Sequence, residues 1–333
     1  MRVVLFTLVT CSGLMAAPAL KDGPPRALVV SSNKSGNWEI YLVQPGGGEP
    51  KQLTDDKASD TEPIWAPDGK RIAFVSDRDG GPDIWTMNAD GADPKPLTKK
   101  SGGCTNLRWS PDGGKIAYVG PQAGVDQIFS VDVATGKVAQ LTDVLTASRQ
   151  PAWSPDGKKL SFSSHAGRYS TYLMDADGDK KAMLTDGNGG LDAAWSPDGK
   201  RLAYVSVYAA DQGWRLYTVN ADGTDKKQLT KTVNTYGNVY PRWSPDGKHI
   251  SFGDLVDGVL QTAVMPAGGG DATFITSTHL HAYTRWSPDG KMINCTRMEK
   301  GKPWALWVCD ADGRNGKELL TGVGVAAAEW KPM

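Results

Sequence analysis

A tryptophan followed by Ser or Ala and then by Pro-Asp-Gly recurs at a nearly constant interval along the chain. The six copies begin at Trp65, Trp109, Trp153, Trp195, Trp243 and Trp286. Successive copies are separated by 44, 44, 42, 48 and 43 residues. Six copies at this interval predict a single repeat architecture rather than the two domains that a length of 333 residues would otherwise suggest.

Each interval contains the same order of apolar segments and turns. After the first Pro-Asp-Gly come apolar residues 72–75, the mostly apolar residues 84–87, the turn Asn-Ala-Asp-Gly at 88–91 and the pair Leu-Thr at 97–98. Residues 72–75 are apolar without alternation, which indicates a strand covered on both faces. Pro, Asp and Gly each favour tight turns. One unit therefore holds four short strands, as in a β-propeller blade.

The number of units follows from the Leu-Thr or Ile-Thr pairs that close them. Seven such pairs begin at Leu53, Leu97, Leu141, Leu184, Leu229, Ile275 and Leu320. The first unit starts directly with its second strand at residues 27–30 and lacks a tryptophan motif. Trp330 lies 44 residues after Trp286 and has no unit of its own. We predict an all-β, seven-bladed propeller of four-stranded blades, whose C-terminal strand completes the first blade and closes the ring.

This repeat resembles the propeller repeat of TolB and of related periplasmic and peptidase-associated propellers, over about residues 26–332. The Gly-His and Trp-Asp pairs of true WD40 repeats are absent, so the repeat is WD40-like. TolB itself has six blades and a separate N-terminal α/β domain, which we do not expect in this chain. The resemblance implies a binding role in the cell envelope, such as binding a peptidoglycan-associated lipoprotein and an inner-membrane partner.

The first 19 residues have the order of a secretory signal. Arg2 precedes an apolar run, and Ala16-Ala17-Pro18-Ala19 resembles a cleavage site. We predict cleavage after Ala19, one propeller domain over 20–333, and a periplasmic or secreted protein. A lipoprotein signal at Cys11 is the less favoured alternative, because Thr10 is a poor residue before a modified cysteine. No segment is long enough to span a membrane.

Composition and motifs argue against some functions and leave open whether two of the cysteines form a disulfide. Lys plus Arg and Asp plus Glu are both 37, which gives no basic field for nucleic acid. A Gly-x-Ser-x-Gly nucleophile motif is absent, which argues against a serine peptidase. Cys104, Cys295 and Cys309 remain after signal cleavage, and the last two lie on strands that we expect to pair. They are either a cross-strand disulfide or two buried thiols.

Polar and aromatic residues occupy the position three before each tryptophan, where the rest of the unit is apolar. We predict that they surround the mouth of the central channel and form the binding site: Glu62, Asn106, Gln150, Asp192, Tyr240 and Tyr283, with Ala327 in the seventh unit. Neighbouring turns add His279 and His281 to the candidates, together with Arg149, His165, Tyr169, Tyr208, Trp214, Tyr236 and Trp304. Such mixtures suit recognition of peptides or sugars.

The sequence therefore favours a binding scaffold for a protein or peptide partner over a self-contained enzyme. We assign no catalytic residue, metal ligand or cofactor. The alternative is a metal-assisted carbohydrate lyase or hydrolase that uses the same face, as in propeller lyases of pectate fragments. His279 and His281 motivate this alternative, because two histidines two residues apart can point the same way and bind a metal.

Overall fold

The computed structural model describes residues 27–143, 145–165, 169–185, 189–207, 213–231, 239–276, 280–299, 301–320 and 323–333. The regular secondary structure in these ranges consists of β-strands, which form seven antiparallel sheets of four strands each. The prediction of a seven-bladed, all-β propeller is confirmed.

The strands are numbered in chain order and grouped by blade. Blade 1 contains β1 (Leu28–Ser32), β2 (Glu39–Val43), β3 (Lys51–Gln52) and β28 (Val325–Trp330). Blade 2 contains β4 (Asp60–Trp65), β5 (Arg71–Ser76), β6 (Asp83–Asn88) and β7 (Lys95–Pro96). Blade 3 contains β8 (Thr105–Trp109), β9 (Lys115–Gln122), β10 (Val125–Asp132) and β11 (Val138–Gln140). Blade 4 contains β12 (Ser148–Trp153), β13 (Lys159–His165), β14 (Tyr169–Asp175) and β15 (Ala182–Met183). Blade 5 contains β16 (Leu191–Trp195), β17 (Arg201–Val207), β18 (Trp214–Asn220) and β19 (Lys227–Gln228). Blade 6 contains β20 (Val239–Trp243), β21 (His249–Val256), β22 (Val259–Pro266) and β23 (Thr273–Phe274). Blade 7 contains β24 (Leu280–Trp286), β25 (Met292–Met298), β26 (Ala305–Asp310) and β27 (Lys317–Leu320).

The strand that ends in the repeated tryptophan is the innermost strand of its blade. These inner strands contact one another in cyclic order: β4, β8, β12, β16, β20, β24, β28 and again β4. The strand β28 pairs antiparallel with β1, with Trp330 opposite Leu28. The first blade is thus built from both ends of the propeller, and the inner strands surround one central channel.

Apolar side chains fill the space between neighbouring blades. The described residues form seven hydrophobic clusters, one between each pair of adjacent blades around the ring. Between blades 7 and 1, for example, Leu306 and Val308 pack with Leu28 and Val30. Both faces of each central strand are therefore covered, which is why residues 72–75 are apolar without alternation.

In five blades the repeated tryptophan also links the blade to the preceding one by a hydrogen bond, whereas Nε1 of Trp65 and of Trp109 is buried without a partner among the described residues. In the linked blades the indole Nε1–H donates to the carbonyl oxygen of the residue before the preceding tryptophan. The described bonds, from Trp153 to Arg108, Trp195 to Ala152, Trp243 to Ala194, Trp286 to Arg242 and Trp330 to Arg285, measure 3.0 to 3.3 Å. A buried indole usually finds such a partner, and in these five blades the bond helps to set the spacing of adjacent inner strands.

The Ser-Pro-Asp-Gly turns have one shared hydrogen-bond pattern. In blade 3, the Ser110 hydroxyl donates to Asp112 Oδ1 over 2.6 Å and accepts the backbone N–H of Lys115 over 2.9 Å. The turns that begin at Ser154, Ser196, Ser244 and Ser287 repeat both bonds. Blade 2 has Ala66 at this position and keeps the backbone bond from Ala66 to Arg71 but has no hydroxyl.

The threonine of the Leu-Thr pair closes the outer edge of the blade. In the six blades whose threonine the structure describes, its buried hydroxyl accepts a backbone N–H of the third strand over 2.8 to 3.0 Å. In blade 2, Thr98 accepts from Ile84 and donates to Asp83 Oδ1. The pair therefore recurs because the outermost strands are very short and need a side-chain anchor.

Cys295 and Cys309 are buried free thiols on the paired strands β25 and β26. The register places Cys295 opposite Trp307 and Cys309 opposite Ile293. The two cysteines are thus diagonal neighbours, whose Cα atoms lie farther apart than a disulfide normally spans. No helix that could cross a membrane occurs in the part of the chain that the structure describes.

The alanine in the blade 2 turn allows a test of the serine network. Ala66→Ser adds a hydroxyl beside Asp68, which already accepts the N–H of Lys70. We expect the free energy of unfolding to rise by about 0.5–1.5 kcal/mol, the net value of one hydrogen bond. Ser196→Ala is the matched reverse change and should lower it by a similar amount. Urea unfolding measures both, and destabilisation by Ala66→Ser would contradict the assignment.

Candidate functional site

The six described candidates three residues before the tryptophans share one unusual backbone conformation. Their φ angles lie between 48° and 56°: Glu62, Asn106, Gln150, Asp192, Tyr240 and Tyr283. At each of these places the register of the inner strand against its neighbour shifts, which marks a β-bulge. We call these six residues the channel-mouth ring.

Glycine is the residue that normally occupies this left-handed position of a bulge, because it has no Cβ. Asn and Asp tolerate the conformation, whereas Glu, Gln and Tyr pay about 1–2 kcal/mol for it. Glycine would therefore adopt this backbone conformation at a lower energy at four positions: Glu62, Gln150, Tyr240 and Tyr283. The side chains at these positions must contribute something that glycine cannot.

One contribution is visible as contacts between neighbouring blades. The Asn106 N–H donates to Glu62 Oε2 over 2.6 Å. The Gln150 side-chain amide donates to Asp192 Oδ1 and accepts the Asp192 N–H over 3.2 Å. Asp192 in turn accepts the backbone N–H of Tyr240. The structure thus brings these candidates together from one blade to the next.

The ring becomes aromatic at blades 6 and 7. The rings of Tyr240 and Tyr283 have centroids 4.9 Å apart at an interplanar angle of 38°, and the two side chains are hydrogen-bonded. Tyr283 is 48% exposed, which is high for a large side chain near the centre of the molecule. One side of the mouth therefore offers an aromatic surface, and the other offers amides and carboxylates.

A second group of polar side chains lies two residues further along the same inner strands, immediately before the tryptophans. Arg108, Arg242 and Arg285 occupy this position in blades 3, 6 and 7, and Glu329 occupies it in blade 1. The three arginines, which we call the arginine cluster, interact electrostatically with one another and with Asp192. Residues of such distant blades can meet only in the central channel.

Burial dominates the electrostatics of this channel. It raises the pKa of Glu62, Asp192 and Glu329 above the usual carboxyl range, although nearby arginines act in the opposite direction.

The arginines respond in the corresponding way. Burial, followed by repulsion from Arg108, lowers the pKa of Arg242 to about 10. The pKa of Arg285 is lowered by burial and then by the charges of Arg242 and Arg108. The side chains are partly accessible along the channel, but the protein around them removes much of their hydration.

The other candidates lie in different situations. His165 ends β13, and its ring contacts Tyr169 edge-on at 4.7 Å. Arg149 forms an ion pair with Asp126, while Trp214 begins β18 and Trp304 precedes β26. His279, Tyr208 and Tyr236 lie outside the described residues, and His281 lies on β24 without a described side chain. The described residues contain no group of three or more His, Cys, Asp or Glu side chains that could hold a metal.

The arginine cluster is the part of the site that the sequence analysis missed. The sequence did contain a signal for this cluster, because the residue before each tryptophan occupies an equivalent position in every unit. It reads Ile64, Arg108, Ala152, Ala194, Arg242, Arg285 and Glu329. Three arginines and one glutamate at an otherwise small or apolar position mark a second polar layer.

A closed ring of seven four-stranded blades around a polar channel defines a β-propeller. The family model of the TolB beta propeller domain matches residues 6–143 and 89–333, and the chain belongs to this family. TolB from Acinetobacter baumannii is similar over 92% of this chain and 66% of its own, slightly under two thirds, at 21% identity and a TM-score of 0.61.

Two enzymes also share the fold. An oligogalacturonate lyase in complex with manganese is similar over 85% of both chains, with 16% identity and a TM-score of 0.72. A Mycobacterium tuberculosis puromycin-hydrolyzing peptidase is similar over 86% of this chain and 50% of its own, with 16% identity and a TM-score of 0.71. At such identities the likeness concerns the fold alone.

The raised pKa of Glu329 predicts a pH-dependent difference in stability. Burial disfavours the charged form of this carboxyl group, so its contribution to stability is fully present below the unfolded pKa of about 4 and falls as the pH rises through the raised folded pKa. Gln cannot ionise. The unfolding temperature of Glu329→Gln minus that of the wild type should therefore increase between about pH 4 and pH 7, as followed by circular dichroism.

Asp112→Asn is the control with the opposite sign. The Ser110 hydroxyl and the Gly114 N–H lower the pKa of Asp112, so its stabilising contribution is present above about pH 4 and lost below. The unfolding temperature of Asp112→Asn minus that of the wild type should therefore decrease as the pH rises. If the Glu329→Gln difference also decreases, Arg285 and Arg108 outweigh burial in the channel.

Proposed function

We propose that the protein is a binding scaffold of the cell envelope or of the secreted fraction, which holds a protein or peptide partner at the channel-mouth ring. The observation that carries the proposal is the left-handed conformation of six ring residues that are not glycine. Backbone strain of this kind is found at functional sites, where the side chain is needed despite its cost.

Two further observations support a binding role. Tyr240 and Tyr283 form an aromatic pair whose outer member is half exposed, and aromatic residues are over-represented among the energetically dominant residues of interfaces. The membership in the TolB propeller family favours protein interaction, and the predicted signal with cleavage after Ala19 favours export.

The proposal makes stability and binding respond in opposite directions to one substitution. Tyr283→Gly removes a strained, half-exposed side chain, so we expect an unfolding temperature equal to or above that of the wild type. We expect at least a tenfold loss in recovery of the partner from an envelope extract. The protein is purified from the exported fraction, where mass spectrometry should give Leu20 as its first residue.

Lys200→Ala is the control for the recovery experiment, because this exposed lysine directly follows a Ser-Pro-Asp-Gly turn at the opposite end of the propeller. It should leave recovery unchanged. A set of recovered proteins that is identical for wild type, Tyr283→Gly and Lys200→Ala would contradict binding at the ring.

A second candidate function is a metal-assisted lyase or hydrolase that acts on a carbohydrate at the same face. The fold likeness to a manganese-bound lyase favours it, together with the pair His279 and His281. These histidines would provide part of the metal coordination, and the metal would polarise the substrate.

The metal proposal is tested on the purified protein. Elemental analysis should find a bound divalent ion, and Mn²⁺ should raise the unfolding temperature of the wild type but not that of His279→Ala or His281→Ala. Galacturonate oligomers should then yield unsaturated products. A metal-free protein whose unfolding temperature does not respond to Mn²⁺ would exclude this function.

A further inference from the structure

The arginine cluster has an arrangement that needs a partner. Each guanidinium forms one hydrogen bond, from Nη1 to the carbonyl oxygen of the preceding residue: Leu107, Pro241 or Thr284. These bonds measure 2.7, 2.7 and 3.1 Å. Among the described residues, no carboxylate lies within ion-pair distance of the three guanidinium groups.

Three guanidinium groups that meet in one channel repel each other, while Asp192 and Glu329 attract them only from beyond ion-pair distance. An arginine offers five N–H donors, so most donors of the cluster have no protein acceptor. The fork of a guanidinium matches the two oxygens of a carboxylate, and a carboxylate between several arginines would remove their repulsion. The same position in the remaining described blades is small, apolar or acidic, so the cationic surface is confined to blades 3, 6 and 7.

The position of the cluster limits what can reach it. It lies roughly 6 Å beyond the channel-mouth ring, two residues along the inner strands. A group that reaches the arginines from the mouth must therefore pass the ring. The end of an extended chain is better suited to this than a folded surface.

The charges around the cluster favour a ligand with one negative charge. Glu62 and Asp192 lie in the ring, and Glu329 lies beside the arginines with a buried Oε2 that has no hydrogen-bond partner among the described residues. These three carboxyl groups would repel a phosphate dianion or a chain of sugar acids. The amides of Asn106 and Gln150 and the tyrosine pair suit a peptide backbone and an apolar side chain.

We propose that the arginine cluster binds the C-terminal carboxylate of a peptide whose last residues thread through the channel-mouth ring. Arg242 and Arg285 hold the carboxylate, and the adjacent Tyr240 and Tyr283 contact the terminal side chain. The inference deepens the proposed function and rests on it, because it names the part of the partner that the ring admits.

The experiment compares two peptides that differ only in the terminal charge. Isothermal titration of the purified protein with the tripeptide Ala-Ala-Phe should give binding, and the same peptide with a C-terminal amide should bind about tenfold to a hundredfold more weakly. Added salt should weaken the binding of the free acid. No detectable binding of the free acid at millimolar concentration, or equal binding of the amide, would overturn the proposal.

Two further probes separate the peptide from other anions. Inorganic phosphate and galacturonate oligomers should bind more weakly than the free-acid peptide, and tighter binding of either would assign the cluster to that anion instead. Arg242→Gln and Arg285→Gln should each weaken the binding of the free-acid peptide by about tenfold or more. Arg314→Gln, an exposed arginine of blade 7 paired with Asp312, should leave the affinity unchanged.

The arginine variants also distinguish this proposal from the proposed function. Each removes a desolvated and repelled charge, so the unfolding temperature should not fall. If Arg242→Gln leaves both peptide affinity and partner recovery unchanged while Tyr283→Gly abolishes recovery, the ring binds the partner without the arginines. If Tyr283→Gly also has no effect on recovery, the ring itself is not the binding site.

Discussion

The hydrogen bond from an indole Nε1–H to a carbonyl of the preceding inner strand, formed in five of the seven blades, is the constraint on which the arrangement of those inner strands depends. It helps to set the spacing of these inner strands and therefore the width of the channel. It also determines which residues face the channel, because the accepting carbonyls belong to the residues before the tryptophans, among them Arg108, Arg242 and Arg285. The apolar clusters between blades then supply most of the stabilisation, since they bury both faces of the central strands.

The repeat was enough to predict the blades because each of its elements has a local physical cause. The Ser-Pro-Asp-Gly motif makes a turn by its own hydrogen bonds, and residues such as 72–75 record burial on both faces. The reason for the Leu-Thr pair could not be read from the sequence, because its hydroxyl bonds to a strand 14 residues earlier. The relation of Cys295 to Cys309 depended on register in the same way, since a shift of two residues decides whether they face each other.

The candidate residues could be picked out from the sequence, but their backbone conformation could not. A polar residue three before the tryptophan stands out against an apolar strand, and this identified Glu62, Gln150 and Tyr240. Their positive φ angles could not be foreseen, because Glu, Gln and Tyr are residues that ordinarily avoid the left-handed region. The sequence and the local backbone disagree here, and such disagreement between levels is expected at functional sites. The arginine layer was overlooked because each arginine, taken alone, resembles an ordinary strand residue with an exposed head.

The two layers of the channel are best understood as one asymmetric site. Tyr240 and Arg242 lie two residues apart on β20, and Tyr283 and Arg285 have the same relation on β24. An aromatic surface and a cationic group therefore follow each other along the channel only in blades 6 and 7. The ring of blades 2 to 5 consists of two carboxylates and two amides, in which Glu62 accepts the backbone N–H of Asn106 and the Gln150 side chain bonds to Asp192. A scaffold that needed only to hold its blades together would have no reason to differ between these two halves. The asymmetry, more than the number of charges, is what favours a ligand with one aromatic or apolar side and one anionic end.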